Sequence, residues 1–281
     1  MSAMPTPKTL DLFQLNNRVA IVTGGAGLLG AEFARTLAEA EAAVVIADLD
    51  IEAASRLAAE IRADGARCLA VHTDVTAIDS VQALVAATLQ AFGSLDILVN
   101  SAALDPKFDP QTLGSSQSAA GGFENFPLEA WNQALAVNLT GMFLCCQAAA
   151  SPMLAQGKGV IINLCSIYGL TGPDQRLYQR PDQPAQYKPV YYSVTKAGVL
   201  GLTRYLATYY AGKNIRVNAL SPGGVYNGHD SDFVQAYSAR AVLGRMAQKD
   251  EMNGALLFLA SDASAYMTGA NLVVDGGWTA W

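Results

Sequence analysis

Arg18-Val-Ala-Ile-Val-Thr23 runs directly into Gly24-Gly-Ala-Gly27-Leu28-Leu29-Gly30, and a helical pattern follows from Ala31 to Ala40. No other stretch restricts the fold as much. The first run is short, apolar and rich in β-branched residues, which marks a strand buried on both faces. The glycines allow a tight turn and let backbone approach a pyrophosphate seated on the helix N-terminus. Strand, glycine turn and helix in that order open a dinucleotide-binding unit.

The alternation continues. Strands are predicted at 43–47, 67–71, 95–99, 159–164, 215–220 and 271–274, and helices at 51–63, 78–92, 128–154, 190–210 and 248–259. Such alternation predicts a single-domain, doubly wound α/β fold with helices on both faces of a parallel sheet. Ligands in these sheets lie beyond the carboxyl ends of the strands. Gly24, Asp48, Asp74, Asn100 and Ser166 all fall at such ends. Asp48 is placed to accept hydrogen bonds from the adenine ribose hydroxyls, and it would repel a 2′-phosphate. No arginine stands beside it, so NAD is expected over NADP. Asp74 is placed to touch the adenine. Asp50 is the expected cap of the second helix.

Tyr192 and Lys196 lie four apart in the 190–210 helix, on one face. A phenol is a poor base at neutral pH, with an ordinary pKa of about 10. A nearby ammonium favours the phenolate, so the pair can exchange a proton with an alcohol oxygen. Taken alone, Tyr-x-x-x-Lys arises by chance in many helices, as a packed tyrosine with a solvated lysine.

The 281 residues are 51% hydrophobic, enough for a sizeable core in one large domain. A net charge of −6 argues against a nucleic-acid backbone as partner. No run of about 18 apolar residues, the length of a membrane span, is evident. The start lacks the basic and apolar regions of a secretory signal. Residues 1–16 read as an arm, with Leu10, Leu12, Phe13 and Leu15 available to dock, and residues 17–281 as the domain. Cys68, Cys145, Cys146 and Cys165 lie in apolar surroundings and form no metal-binding spacing, so reduced thiols and a cytoplasmic location are expected.

Three segments break the pattern. Residues 104–125 and 171–188 are rich in Pro, Gly and polar residues and read as inserted loops. Residues 226–241 read as a polar, mobile loop over the substrate.

With these residues assembled, the chain resembles the short-chain dehydrogenase/reductase family over roughly residues 17–277. Thr23, Gly24 and Gly30 match its glycine motif, with Leu28 where glycine or alanine is usual. The spacing of Gly24, Gly27 and Gly30 resembles the family's longer, sugar-nucleotide branch. The remaining motifs resemble its shorter branch: Asp74, the Asn100-Ser101-Ala102 strand end, Asn138, Ser166, Tyr192 with Lys196, and Pro222-Gly223. Asn227 replaces a threonine common after that last turn.

The resemblance implies a Rossmann fold of about seven strands, and hydride transfer between a nicotinamide cofactor and a secondary alcohol or ketone. It implies a catalytic tetrad. Tyr192 is the acid/base, Ser166 holds the substrate oxygen, Lys196 binds the nicotinamide ribose and lowers the Tyr192 pKa, and Asn138 fixes a water. Cofactor contacts are expected from Gly24, Gly27, Leu28, Leu29, Gly30, Asp48, Leu49, Asp74, Val75, Asn100, Ala102, Tyr192, Lys196, Pro222, Gly223, Val225 and Asn227. A homotetramer (or homodimer) is implied, built on the Tyr192 helix, and no metal.

The interval between Ser166 and Tyr192 is about twice the family's usual length. Its extra loop lies beside the active site, and Arg176, Tyr178, Arg180 and Lys188 in it suggest a polar or anionic substrate. The loop could instead pack on a neighbouring subunit. A similar insertion occurs in oxidoreductases of bacterial surface-sugar and flagellin-glycan pathways, which points to a sugar-like or polyol substrate. Tyr168, Arg176, Tyr178, Tyr187 and His229 are the expected substrate contacts. Trp278 and Trp281 are expected at a subunit contact. Two other readings stand beside this one: a 3-oxoacyl ketoreductase using NADPH, which Asp48 argues against, and a non-catalytic nucleotide sensor, which would ordinarily have lost Tyr192, Lys196 or Ser166.

Overall fold

The computed structural model describes residues 8–105, 122–180 and 185–281. Seven strands form one sheet: β1 (Val19–Thr23), β2 (Ala43–Asp48), β3 (Cys68–His72), β4 (Ile97–Asn100), β5 (Gly159–Leu164), β6 (Ile215–Pro222) and β7 (Asn271–Val274). Every pairing is parallel, in the order β3-β2-β1-β4-β5-β6-β7. The chain builds outward from β1 to β3 and then returns to lay β4 on the other side of β1. That reversal opens a crevice at the carboxyl ends of β1 and β4.

Successive residues of a strand face opposite sides, and β1 shows this directly. Ala20 and Val22 enter the core under α1 (Leu28–Glu39), α2 (Ile51–Ala63) and α8 (Asn253–Ala260). Ile21 enters the core under α3 (Ile78–Phe92), α5 (Met142–Gln156) and α6 (Val190–Tyr209). Both faces are covered, which is why the strands read as continuous apolar runs. Asp50 caps α2, its carboxylate accepting the Ala53 N–H at 2.9 Å. The four cysteines are free and buried, and burial pushes the Cys68 thiol up to about 11 and that of Cys145 up to about 12. Of the expected arm contacts, Leu15 is fully buried while Leu10 is 78% exposed. Burying a leucine stabilises by about 1.5–3 kcal/mol, so Leu15 is the residue that anchors the arm.

The structure corrects several expectations. The helix expected at 128–154 is α4 (Leu128–Leu135), a π turn (Ala136–Gly141) and then α5. Together they form one apolar helix of 29 residues, long enough to cross a membrane by length and composition alone. In the fold this helix is a core element: Cys145, Cys146, Ala149 and Met153 pack under the sheet. Residues 226–241 are not a bare loop. They hold α7 (Ser231–Ser238), capped by Asp230, with Phe233 and Tyr237 buried. Trp278 is buried within the chain rather than kept for a subunit contact, while Trp281 is exposed and donates its indole N–H to the Arg240 carbonyl. Parts of the arm and of both inserted loops (1–7, 106–121 and 181–184) lie outside the described residues.

Candidate active site

The glycine turn closes on itself. Gly24 has φ +60°, and a Cβ there would meet the Ala102 Cα at 2.7 Å, so the β1 turn and the end of β4 touch backbone to backbone. At Gly30 a Cβ would come 2.1 Å from the Gly24 carbonyl oxygen. Gly27 caps α1 without a side-chain hydrogen bond, which leaves the first N–H groups of the helix free for an anion. Leu28 and Leu49 are exposed at the rim. The Asp48 carboxylate accepts the Ala26 N–H at 2.9 Å and the Asp50 N–H at 3.0 Å. It thus fastens the glycine turn to β2, and a carboxylate with about four acceptor sites keeps capacity for a ligand. Asp74 accepts the backbone N–H and the hydroxyl of Thr76, and that hydroxyl holds its pKa low.

Asn100 ties the site to the elements around it. Its side chain turns away from the crevice, donating to Asn163 Oδ1 at 2.9 Å and to Cys146 at 3.2 Å, and Asn163 donates on to Thr203. This buried chain joins β4, β5, α5 and α6, while the Asn100 Oδ1 is buried without a hydrogen-bond partner. Ala102 sits against Gly24. Pro222 ends β6, and a Cβ on Gly223 would strike Asp275. Val225 bridges to Ala247, and the Asn227 N–H donates to His229 Nδ1 at 3.2 Å.

Ser166 follows β5, and Tyr192 and Lys196 stand in the first turns of α6. Ser166 lies close enough to the Tyr192 hydroxyl to influence its protonation. The Ser166 hydroxyl also accepts the Tyr168 N–H at 3.2 Å. Lys196 is buried, and its ammonium donates to the Leu164 carbonyl at 2.7 Å, 5.7 Å from the Tyr192 ring centre. An ammonium has three donors, so two remain. Burial raises the Tyr192 pKa well above its ordinary value, Asp105 adds to this, and the neighbouring Ser166 hydroxyl opposes it. Burial also lowers the Lys196 pKa. The expected depression of the tyrosine by Lys196 is outweighed here by desolvation. Asn138 lies in the π turn, a form that often marks functional sites. Its amide is taken up on both sides by Leu104, accepting the N–H at 2.6 Å and donating to the carbonyl at 3.0 Å. Asn138 thus straps down the segment after β4.

The substrate side is a small core of its own. Ile167, Tyr168, Leu177, Tyr178, Phe233 and Tyr237 pack together against Tyr192. The second inserted loop therefore folds onto its own chain. The Tyr178 hydroxyl donates to the Tyr168 hydroxyl at 3.2 Å, and the Tyr168 ring stands edge-on to Tyr192. His229 stacks on Phe233, and burial lowers its pKa. Arg176 does not join these groups. It is exposed and paired bidentately with Asp174. Arg180 pairs with Asp230 and so ties the loop to α7. Tyr187 lies at the surface. Sequence reasoning missed Asp105, Gln175 and Asp230. The usable signal was a carboxylate just past the β4 end, opposite a loop rich in cations.

A family model described as "Enoyl-(Acyl carrier protein) reductase" matches residues 25–279. The chain is 41% identical to a cis-4-hydroxycyclohexanecarboxylate dehydrogenase of Sinomonas cyclohexanicum over 94% of this chain and 97% of that one. The chain is a short-chain dehydrogenase/reductase. It is also 37% identical to a D-threitol dehydrogenase of Mycolicibacterium smegmatis, over 95% of each chain. Among solved structures it resembles a gluconate 5-dehydrogenase from Burkholderia cenocepacia in complex with NADP and tartrate, with TM-score 0.83, 33% identity, and coverage of 98% and 100%. It is an oxidoreductase of a family whose named relatives act on CH–OH groups. The structure fits the nicotinamide cofactor of this family: uncapped N–H groups at α1, a carboxylate at β2 and a buried ammonium with spare donors line one crevice.

Proposed function

We propose that this short-chain dehydrogenase/reductase uses NAD to interconvert a secondary alcohol and a ketone on a polar, hydroxyl-bearing substrate. The observation that carries this reading is the buried Lys196 ammonium, held on the Leu164 carbonyl at the carboxyl end of β5 and 5.7 Å from the Tyr192 ring centre, with Ser166 beside the same phenol. The nicotinamide ring, when bound, takes or gives the hydride. Tyr192 moves the proton at the substrate oxygen, and Ser166 donates a hydrogen bond to that oxygen. Lys196 has two donors for the cofactor's ribose and places a positive charge near the phenol. Asn138 positions Leu104 and with it the chain leaving β4. The packed aromatic wall from Tyr168 to Tyr237 excludes water from the reacting face.

Asp48 supports NAD, because its carboxylate repels a 2′-phosphate and none of its hydrogen bonds comes from an arginine. The solved relative with NADP favours the other cofactor, and with it an NADPH-linked ketoreductase. Titrating NAD and NADP separately, then assaying polyols, hydroxy acids and 3-oxoacyl thioesters, decides between them. Tight NADP binding without NAD binding refutes the Asp48 argument.

A cytoplasmic homotetramer or homodimer completes the proposal. Tyr205 and Tyr209 support it, since they stack at 5.8 Å on the exposed side of α6. Sedimentation showing a stable monomer contradicts it.

A further inference from the structure

Among the described residues, Lys188 is the cation closest to the face of the acid/base tyrosine. Its Nζ lies 4.0 Å from the Tyr192 ring centre, nearer than Lys196. Its side chain is only 13% exposed. It is also held in place. Gln175 grips its backbone on both sides, accepting the Lys188 N–H at 2.8 Å and donating to the Lys188 carbonyl at 3.3 Å. Pro189 follows as the N-cap of α6, so the lysine stands two residues before the first residue of the catalytic helix. A solvated loop lysine has none of these restraints.

The ammonium pairs with Asp105 at 2.5 Å, and the partners differ in burial: the Asp105 side chain is 50% exposed. An ion pair with one half-exposed member is weak, because water competes for the carboxylate. The lysine is the fixed member and the aspartate the exchangeable one. Asp105 also lies next to Leu104, which Asn138 holds, so the carboxylate is presented at the mouth of the site.

We propose that Lys188 is a specificity-determining residue that binds the carboxylate of a hydroxy-acid substrate, with Asp105 as the built-in stand-in that the substrate displaces. This rests on the dehydrogenase reading above and narrows its substrate class. A carboxylate on Lys188 pins one end of the substrate, so that a ring or chain hydroxyl can reach Tyr192 and Ser166. The cation over the tyrosine face is then neutralised by substrate instead of by Asp105, and a neutral polyol leaves that pair intact.

The test uses the full-length enzyme with NAD and with NADP. The probes are 4-hydroxycyclohexanecarboxylate, gluconate and threonate, each beside its primary amide. For at least one pair, kcat/KM for the acid exceeds that for the amide by about tenfold or more. Lys188→Met raises KM for that acid by about 10- to 100-fold, with a smaller change in kcat and a loss at least about tenfold greater for the acid than for its amide. Lys188→Arg restores most of the acid's affinity. Asp105→Asn lowers KM for the acid. Cofactor affinity and thermal melting like those of the wild type show that the variants are folded. Equal use of acids and amides by the wild type, or equal losses on both in Lys188→Met, overturns the carboxylate role and leaves the dehydrogenase reading standing. No turnover of any polar alcohol with either cofactor overturns both.

Discussion

Trp278 lies nearly flat on Tyr237, with ring centres 4.2 Å apart and planes 18° from parallel. The contact joins the C-terminal segment to α7, and the Gly224 N–H donates to the Tyr237 hydroxyl. A stack between two distant segments thus fixes the turn after β6, where the cofactor crevice meets the substrate side. Arg240 covers the other part of the Trp278 ring at 4.8 Å.

Trp278→Ala leaves a large hole in that small core. Removal of a buried tryptophan costs about 3–5 kcal/mol, which chemical denaturation measures directly. KM for the alcohol rises as well, since α7 loses its backing. Wild-type stability in this variant removes the stack from the account.

Asp174 is the second fastening of the inserted loop. It caps the short turn Gln175–Tyr178 and accepts hydrogen bonds from Arg176 and Arg240. Arg176, then Arg240, holds its carboxyl well below the ordinary carboxylate range. A depressed folded-state pKa stabilises above the unfolded value of about 3.9, and that stability is lost as pH falls below it. Asp174→Ala therefore lowers stability at neutral pH by at least about 1 kcal/mol, the usual worth of a cap, and flattens the acid limb of the stability curve. An unchanged acid limb counts against the assignment.

The pH–rate profile has a definite sign. Burial, with Asp105, keeps the proton on Tyr192 through neutral pH. Alcohol oxidation needs that proton gone, so its kcat/KM rises with pH into the alkaline range, while ketone reduction falls over the same range. Lys196, whose pKa burial lowers, sheds its charge earlier than a free lysine and limits the gain at high pH. A flat profile for oxidation from pH 7 to pH 10 contradicts Tyr192 as the base.

Asp48→Ala removes the carboxylate that repels a 2′-phosphate and also frees the Ala26 N–H. NAD affinity falls by about tenfold or more, and the preference for NAD over NADP narrows. Isothermal titration with both cofactors reads both effects.

Most of the sheet was legible in the sequence because strands buried on both faces are plain apolar runs, and β5 and β7 have the expected bounds. The glycine turn and Tyr192/Lys196 carried their own spacing. The π turn around Asn138 was not legible, because its residues continue the apolar pattern of the flanking helices. The α7 helix was hidden by its polar surface, which covers just two buried aromatics, Phe233 and Tyr237. The partners of Lys188, Arg180 and Arg176 are tertiary or loop-specific facts. A cation in a loop reads the same whether it faces a ligand, as proposed for Lys188, or is spent on a neighbour, as Arg176 is on Asp174.

Tyr192→Phe, assayed by cofactor titration and by steady-state turnover on the same preparation, tests the central claim most directly. The account predicts cofactor affinity within about threefold of wild type and a kcat reduced by about 10²- to 10⁴-fold, the worth of a positioned acid/base. A variant that binds cofactor and keeps kcat within a few-fold of wild type contradicts it.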